Sequence, residues 1–557
     1  MKLPKKHISL ILIGAIIFIA SIFRFYELDS IPPGLYPDVA VNGMDALSTL
    51  QSGNFDVFYQ NNNGREGLII WLDAWTMMVF GISIWALKFP AAVIGTLTVL
   101  GVYLLARQLF DNRKEQIALL AAFFTAVSFW HVNFSRIGFR AIMVPFFIAF
   151  SLYFLWKAFG SRRGNTGPNS FIWAIASGIF FGLGFYTYIS FRLAVPLLFC
   201  IFGFWLVRLW QQKSVFVSVT ATMLISAFFT ALPIGIYFLQ NPADFLGRAG
   251  QTSVLTADNP IAATGLSLAA HLAMFNFYGD QNWRHNYPPT PILFWPVGIF
   301  FFVGLVIAIK ILWKSLFSRD NPNRLNTDSI AIGTLLLWFG FLLLPGILTI
   351  ESIPHALRTI GVIPPVMIFA ALGITAIYFE GQKFLKKNGV KKTGVIMLPA
   401  SVLVIGAVLY FEFNRYFIEW GQNPNTQGAF TSNYVDIGNF TSKMNLEGWQ
   451  TVVIANEDGV AIPYPDGIPV PTQTVMFAET AYCWQHASPA LKKECRYYSR
   501  FAKPADIPHL ALTGKTAIVL MKEDPEIYKQ LAALFPQGML QGRDNIKYFD
   551  ISPESIQ

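Results

Sequence analysis

Ile8-Ser-Leu-Ile-Leu-Ile-Gly-Ala-Ile-Ile-Phe-Ile-Ala-Ser-Ile-Phe23 runs without an ionisable group and meets Arg24-Phe-Tyr-Glu-Leu-Asp-Ser30 at its end. With its flanks the run reaches the ~20 apolar residues that cross a bilayer as a helix. The basic leader Met1-Lys-Leu-Pro-Lys-Lys-His7 resembles the start of a signal peptide. No small-residue cleavage site follows, so the segment reads as an uncleaved first span. Similar runs recur near 86–106, 115–134, 141–157, 171–190, 194–210, 215–239, 291–312, 329–350, 359–379 and 394–411. That makes about eleven spans. A further apolar stretch, 68–82, is short and carries Asp73; it reads as a juxtamembrane or re-entrant helix.

Composition agrees. Of 557 residues only 13% are charged and 54% are hydrophobic, whereas a soluble chain carries roughly 25% charged residues. The net charge of +9 does not point to nucleic acid, because in a polytopic chain excess Lys and Arg mark cytoplasmic loops. With Lys2, Lys5 and Lys6 inside, alternate loops hold Arg107/Arg113/Lys114, Lys157/Arg162/Arg163, Arg208/Lys213, Lys310/Lys314/Arg319/Arg324 and Lys383/Lys386/Lys387/Lys391/Lys392. Each is basic, as the positive-inside rule expects. An odd number of spans then puts the C-terminal segment outside. The outer loops carry mostly arginine: Arg65, Arg136, Arg140, Arg192, Arg248, Arg284 and Arg358, with Lys88 the exception. Arginine's planar fork matches phosphate oxygens. One such Arg is an ordinary headgroup anchor; the set suggests a cavity that handles phosphate.

From 412 to 557 the composition turns polar. Thr451-Val-Val-Ile-Ala and Thr516-Ala-Ile-Val-Leu-Met read as buried strands, Pro525–Phe535 as an amphipathic helix and Ile546-Lys-Tyr-Phe-Asp-Ile as a third strand. The expected fold is an α-helical polytopic membrane protein with juxtamembrane helices and a small C-terminal extracytoplasmic α/β domain. Its division is a membrane domain over 1–411, with 27–85 as first outer loop, and the α/β domain over 412–557. Cys200 reads as an apolar filler in a span. Cys483 and Cys495 are permitted a disulfide if the tail is outside; His486 between them is too little for zinc.

Four polar clusters fall on the outer face. In Tyr36-Pro-Asp38 the carboxylate precedes Asn42, Asp45 and Thr49, which recur at helical spacing, so Asp38 is either an N-cap or a catalytic base. In Asn61-Asn-Asn-Gly-Arg-Glu-Gly67, Glu66 either orients Arg65 or serves as a second catalytic acid. Asn133-Phe-Ser-Arg-Ile-Gly-Phe-Arg140 puts Arg136 and Arg140 close to the bilayer, where they need partners. The fourth cluster combines Gly279-Asp-Gln-Asn-Trp-Arg284-His285 with Glu351-Ser-Ile-Pro-His355-Ala-Leu-Arg358. No HExxH, CxxC pair, Walker loop or GxSxG is present. Without a dinucleotide-type cytoplasmic unit, a lipid-borne donor is expected.

Pro32-Pro-Gly-Leu-Tyr-Pro-Asp-Val-Ala-Val-Asn-Gly43, Asn63-Gly-Arg-Glu-Gly-Leu-Ile-Ile-Trp71 and Phe80-Gly-Ile-Ser-Ile-Trp-Ala-Leu-Lys-Phe-Pro-Ala-Ala92 resemble the bacterial family 39-like glycosyltransferases of the GT-C class. These are relatives of protein O-mannosyltransferases and of the lipid A aminoarabinose transferase. Ser135-Arg-Ile-Gly-Phe-Arg140, Tyr186-Thr-Tyr-Ile-Ser-Phe-Arg192, Arg284-His-Asn286 and Pro354-His-Ala-Leu-Arg358 extend the resemblance over about 10–380. It implies a GT-C-like membrane domain and transfer of a sugar from a polyprenyl-phosphate carrier to an acceptor protein, lipid or glycan, on the outer face of the plasma membrane. No cofactor is implied, and a divalent metal is left open. Asp38 matches the base of the first outer loop. The class often has Asp-Glu there; this chain has Asp38-Val39, which leaves Asp38 alone. Many relatives carry Gly-Lys-Pro-Pro where this chain has Gly64-Arg65-Glu66-Gly67, so Arg65 falls at their donor-phosphate cation. Arg136, Arg140, Arg192, Arg284, His285, His355, Arg358, Tyr36 and Asn42 complete the expected donor-binding set. The rival reading is a flippase, transporter or ligase of lipid-linked sugars. A transporter would carry ionisable groups at mid-span, whereas here they crowd one face.

Overall fold

The computed structural model describes residues 5–160, 168–245, 253–317, 327–463, 466–510, 512 and 514–551. Lys2, Arg162, Arg163, Arg248, Arg319 and Arg324 of the charge pattern lie outside them. Among the described residues nine helices are long and apolar enough to cross a membrane, from His7–Phe25 to Thr393–Trp420. The bent pair Lys114–Val127 and Phe129–Arg136 brings the number to ten if it is one span. The remaining expected span, 171–190, is the shorter helix Pro168–Gly184, followed by a turn. The last span does not end near 411: helix Thr393–Phe413 continues as a π-helical stretch, Asn414–Trp420.

The chain folds as two compact units, Met1–Tyr26 with Ala91–Gly421, and Glu27–Pro90 with Gln422–Gln557. The first is the helical membrane unit. Its bent pair turns by 55° at Ser128, whose backbone leaves helical geometry. A bend frees backbone groups that hydrocarbon cannot satisfy. Here Arg24 donates to the carbonyls of Thr125 (3.2 Å) and Ala126 (2.8 Å). Glu412 Oε2 accepts from the N–H of Phe129 at 3.1 Å. The arginine that ends the first apolar run thus closes a helix break a hundred residues away.

The second unit differs from the linear division at 411/412, because residues 27–90 share it with the C-terminal chain. A five-stranded sheet runs in the order Arg500–Ala502, Gln450–Ile454, Thr516–Leu520, Ile546–Ile551, Met539–Arg543. The first three strands are parallel and the last two antiparallel. Alternation assigns the faces: Val453 and Val519 meet the helices Ser432–Leu446 and Thr472–His486 through Phe440, Met444 and Val475. Val452, Ile454, Ile518 and Leu520 face Ile527 and Leu531 of helix Pro525–Leu534. The strands 500–502 and 539–543 are short or exposed and carry no apolar alternation, so local pattern misses them.

Helix Pro37–Ser52 joins this unit by close approach. Phe477 of helix Thr472–His486 lies 2.6 Å from where a Cβ on Gly43 would stand. Gly34, at φ +81°, presses its backbone against Phe430 and Ser432, a site only glycine fits. The Leu35 carbonyl accepts from Thr431 (3.0 Å) and Thr474 (3.1 Å). Lys88, the exception among outer cations, is buried and donates to the Pro32 carbonyl at 3.0 Å.

Candidate functional site

In the second unit, Pro37 opens helix Pro37–Ser52, with Tyr36 as its half-buried N-cap residue. Asp38 is therefore not the cap; it stands in the first turn, where exposed N–H groups favour a carboxylate. It is half-buried, and Asn62 Nδ2 donates to its Oδ1 at 2.8 Å. Asn62, Asn63 and Gly64 all take left-handed backbone, which folds the Asn61–Gly64 turn back onto the helix. The short hairpin Phe58–Tyr59 with Arg65–Glu66 follows.

That hairpin takes up the polar stripe of the helix. Arg65 is fully buried. It pairs with Asp45, donates Nη1 to Asn42 Oδ1 at 2.6 Å and Nε to the Asn61 carbonyl at 3.2 Å. Thr49 and Tyr59 hydroxyls meet at 2.7 Å. Arg65 and Asn42, both expected at the donor, are enclosed and hydrogen-bonded to one another, so Arg65 braces the loop. Glu66 is also buried, opposite Phe58 in the hairpin. The ion pair of Arg65 is with Asp45. Burial pushes the Asp45 carboxyl up, and Arg65 pulls it back down.

In the first unit the loop 279–291 is fastened to the 350–358 segment around Asp280. Asp280 Oδ2 accepts from His285 Nδ1 (2.9 Å) and from the Ala356 N–H (2.8 Å); its Oδ1 accepts from the Asn282 N–H (2.8 Å). His285 and His355 stack with ring centres 4.9 Å apart. His271 donates Nδ1 to the Ser267 carbonyl (2.7 Å) and accepts the His355 N–H on Nε2 (3.1 Å), so it is held as one neutral tautomer. Burial keeps the His355 imidazole well below the ordinary range, with the neighbouring His285 and Arg358 acting the same way.

Two atoms in this cluster have no hydrogen-bond partner although buried: His355 Nδ1 and Arg358 Nη1. Arg358 Nη2 reaches Glu351 at 2.5 Å. Unsatisfied buried donors cost stability and mark a place where a ligand oxygen would be welcome. Asp280, His285 and His355 also offer donor atoms within 4.8 Å of one another, the donor set of a divalent cation.

The other expected residues are placed as follows. Arg136 is buried and donates to the carbonyls of Phe23 (3.0 Å) and Tyr26 (2.7 Å), closing the end of the first helix. Arg284 is half-buried, its Nε on Asn282 Oδ1 at 3.2 Å. Arg140 lies 5.3 Å over the Tyr188 ring. Arg192 donates to the Phe245 carbonyl at 2.7 Å. The structure thus gathers Arg284, His285, His355 and Arg358 around Asp280, and separately Asp38, Asn42 and Arg65 around helix Pro37–Ser52. Sequence reading missed Asp280 and Asn62. The run Asn61-Asn-Asn-Gly was the available signal for Asn62, since Asn and Gly tolerate left-handed backbone; nothing local marks Asp280.

The chain matches the family model for dolichyl-phosphate-mannose-protein mannosyltransferase over residues 68–234. No curated protein matches. Among solved structures it is similar to ArnT from Cupriavidus metallidurans in the apo state, with TM-score 0.53, 11% identity and 98% of both chains covered. ArnT bound to undecaprenyl phosphate gives 0.51, 12% and the same coverage. The archaeal oligosaccharyltransferase AglB from Archaeoglobus fulgidus, in complex with an inhibitory peptide and a dolichol-phosphate, gives 0.50 and 15% over 79% of this chain. The match covers 58% of AglB, so this chain spans little more than half of that relative's length. At these identities the likeness is one of fold.

Proposed function

We propose that this chain, which has the GT-C fold and is related to the protein O-mannosyltransferases and to ArnT, moves a sugar from a polyprenyl-phosphate carrier to an acceptor hydroxyl. The reaction takes place on the outer face of the plasma membrane, with the N-terminus cytoplasmic and the 412–557 segment outside. The basic alternate loops support that orientation, and the undecaprenyl phosphate in the similar ArnT structure supports the carrier.

One observation carries the reading: Asp38 is a half-buried carboxylate, oriented by Asn62 through one oxygen and leaving the other available. It is the base. The acceptor O–H gives its proton to Asp38 as its oxygen bonds to the anomeric carbon, and the bond from that carbon to the carrier phosphate breaks. A single displacement inverts the anomeric centre. The leaving phosphate gains charge, which a preorganised donor stabilises more than it stabilises the ground state. The sugar is a hexose or pentose.

The test is transfer of labelled sugar from a panel of polyprenyl-phosphate sugars by the protein in lipid. Asp38→Asn should lose transfer by at least 100-fold while still binding donor. Full transfer by Asp38→Asn would remove the base. An absence of both transfer and donor binding in the unaltered protein would favour a transporter instead.

A further inference from the structure

We propose that a cleft in the second unit binds a saccharide segment of the acceptor, away from the hydroxyl that reacts. This rests on the reading of Asp38 as base. The cleft has a volume of about 590 Å³, within the ~300–1,000 Å³ of ligand sites and roomy enough for more than one sugar ring. One wall is a single face of helix Pro37–Ser52: Met44, Leu47, Ser48 and Gln51, the i, i+3, i+4, i+7 stripe of a helix. Arg496, Tyr497 and Tyr498 form the facing wall.

The facing wall is held in advance of any ligand. Cys495 is bonded to Cys483. Glu479, fully buried, accepts from the N–H groups of Tyr498 (2.8 Å) and Ser499 (3.0 Å) and from Asn445 Nδ2 (2.8 Å). Ser499 and Thr451 hydroxyls meet at 2.6 Å. A wall fixed this way loses little entropy when it binds. Yet its side chains stay open to solvent: Tyr497 is 39% and Tyr498 46% exposed. Arg496 is exposed too, with its guanidinium 5.6 Å from the Tyr498 ring centre. Tyr497 meets Phe501 edge-on with ring centres 6.0 Å apart and the Tyr498 hydroxyl donates to the Glu494 carbonyl at 2.7 Å, so both rings are held in place while their exposed parts, with Arg496, face the cleft.

The chemistry of the lining selects the ligand class. A lipid tail needs an apolar lining, and this one mixes phenol, guanidinium, amide and hydroxyl groups. Tyrosine rings give a flat face for the C–H side of a sugar and a polar tip for its hydroxyls. The Gln51 amide and the Arg496 fork are planar arrays suited to neighbouring hydroxyl pairs. Distance sets the part of the acceptor involved. At ~1.5 Å per residue along a helix, Met44 to Gln51 lie about 9–20 Å from Asp38, a few sugar units away.

The experiment uses the full chain in lipid nanodiscs and saturation-transfer NMR with three probes: maltotetraose, chitotetraose and tetragalacturonate. At least one should receive saturation on two or more rings. The Arg496→Gln/Tyr498→Ala double variant should weaken that probe tenfold or more, with thermal unfolding unchanged and the disulfide intact. Asp38→Asn should bind it within twofold of the unaltered protein. Silence of all three probes, or equal binding by the double variant, would overturn the proposal. So would preferential binding of a Ser/Thr-rich peptide that the double variant loses. Should Asp38→Asn keep full transfer while the double variant loses the probe, the base assignment fails and the cleft stands.

Discussion

Arg65 and Asp73 show how differently two buried charges behave. Arg65 has a carboxylate, an amide oxygen and a carbonyl around it. Removing one partner of such a pair leaves the other stranded, at a cost of about 3–5 kcal/mol. Arg65→Ala should therefore lower the unfolding midpoint sharply, and Arg65→Met with Asp45→Leu should recover most of the loss. A variant that stays stable but raises the donor KM would return Arg65 to the donor site. Asp73, in helix Leu68–Phe80, is buried with no hydrogen bond to either oxygen, and burial pushes its carboxyl well up. A raised folded pKa means the favourable contribution is present below the unfolded value of ~3.9 and lost as pH climbs through the folded value. Asp73→Leu should then stabilise the protein at pH 7 by about 1–3 kcal/mol, with a smaller gain near pH 4. Thermal unfolding at both pH values checks it. Asp38 was visible as a lone acid in a polar loop, but that it stands in the first turn rather than at the cap depended on where the helix begins, at Pro37, and its partner Asn62 lies twenty-four residues on.

At the scale of elements, hydropathy located the helices and could not see the break in one of them. The stretch 117–130 is apolar apart from Thr125 and Ser128, with neither Pro nor Gly to mark the bend at Ser128. The break exists because Arg24 and Glu412 satisfy what it exposes. Arg24→Ala should leave two carbonyls without partners in the membrane unit and lose ~2–4 kcal/mol, at about 1–2 kcal/mol each. Folding yield in detergent and the unfolding midpoint would report it; unchanged values would mean that the bend is held by packing alone. The strap at 495–499 follows the same logic, since one carboxylate, Glu479, fixes it from a helix that no local pattern had distinguished from loop.

At the scale of the whole molecule, the polar tail is not an appendage to a finished membrane domain. Residues 27–90 belong to the same compact unit as 422–557. The loop holding Asp38 is therefore built on the α/β sheet's helices, through contacts such as Leu35 with Thr431 and Thr474. Orientation belongs to this scale as well. Alkaline phosphatase joined after Gln557 should be active in cells, and a green fluorescent protein at the same place dark. The reverse pattern would invert the charge argument and place Asp38 on the cytoplasmic face.

Sequence alone determined most of the membrane spans, the basic alternate loops, the presence of a terminal α/β domain with three of its five strands, and the polar residues of four clusters. These follow from properties that add up locally: transfer of side chains into hydrocarbon, charge per loop, and period two in a strand. Tertiary structure alone decided which charged groups are spent and which remain. Arg65 and Arg136 are engaged by the fold, Asp38 is held by Asn62 through one oxygen, and Arg358 keeps a buried Nη1 without a hydrogen-bond partner among the described residues. It also assembled His271, Asp280, His285 and His355, drawn from positions up to 84 residues apart. A buried polar group must find its partner wherever the chain brings one, and that search is settled in space, by desolvation, rather than along the sequence.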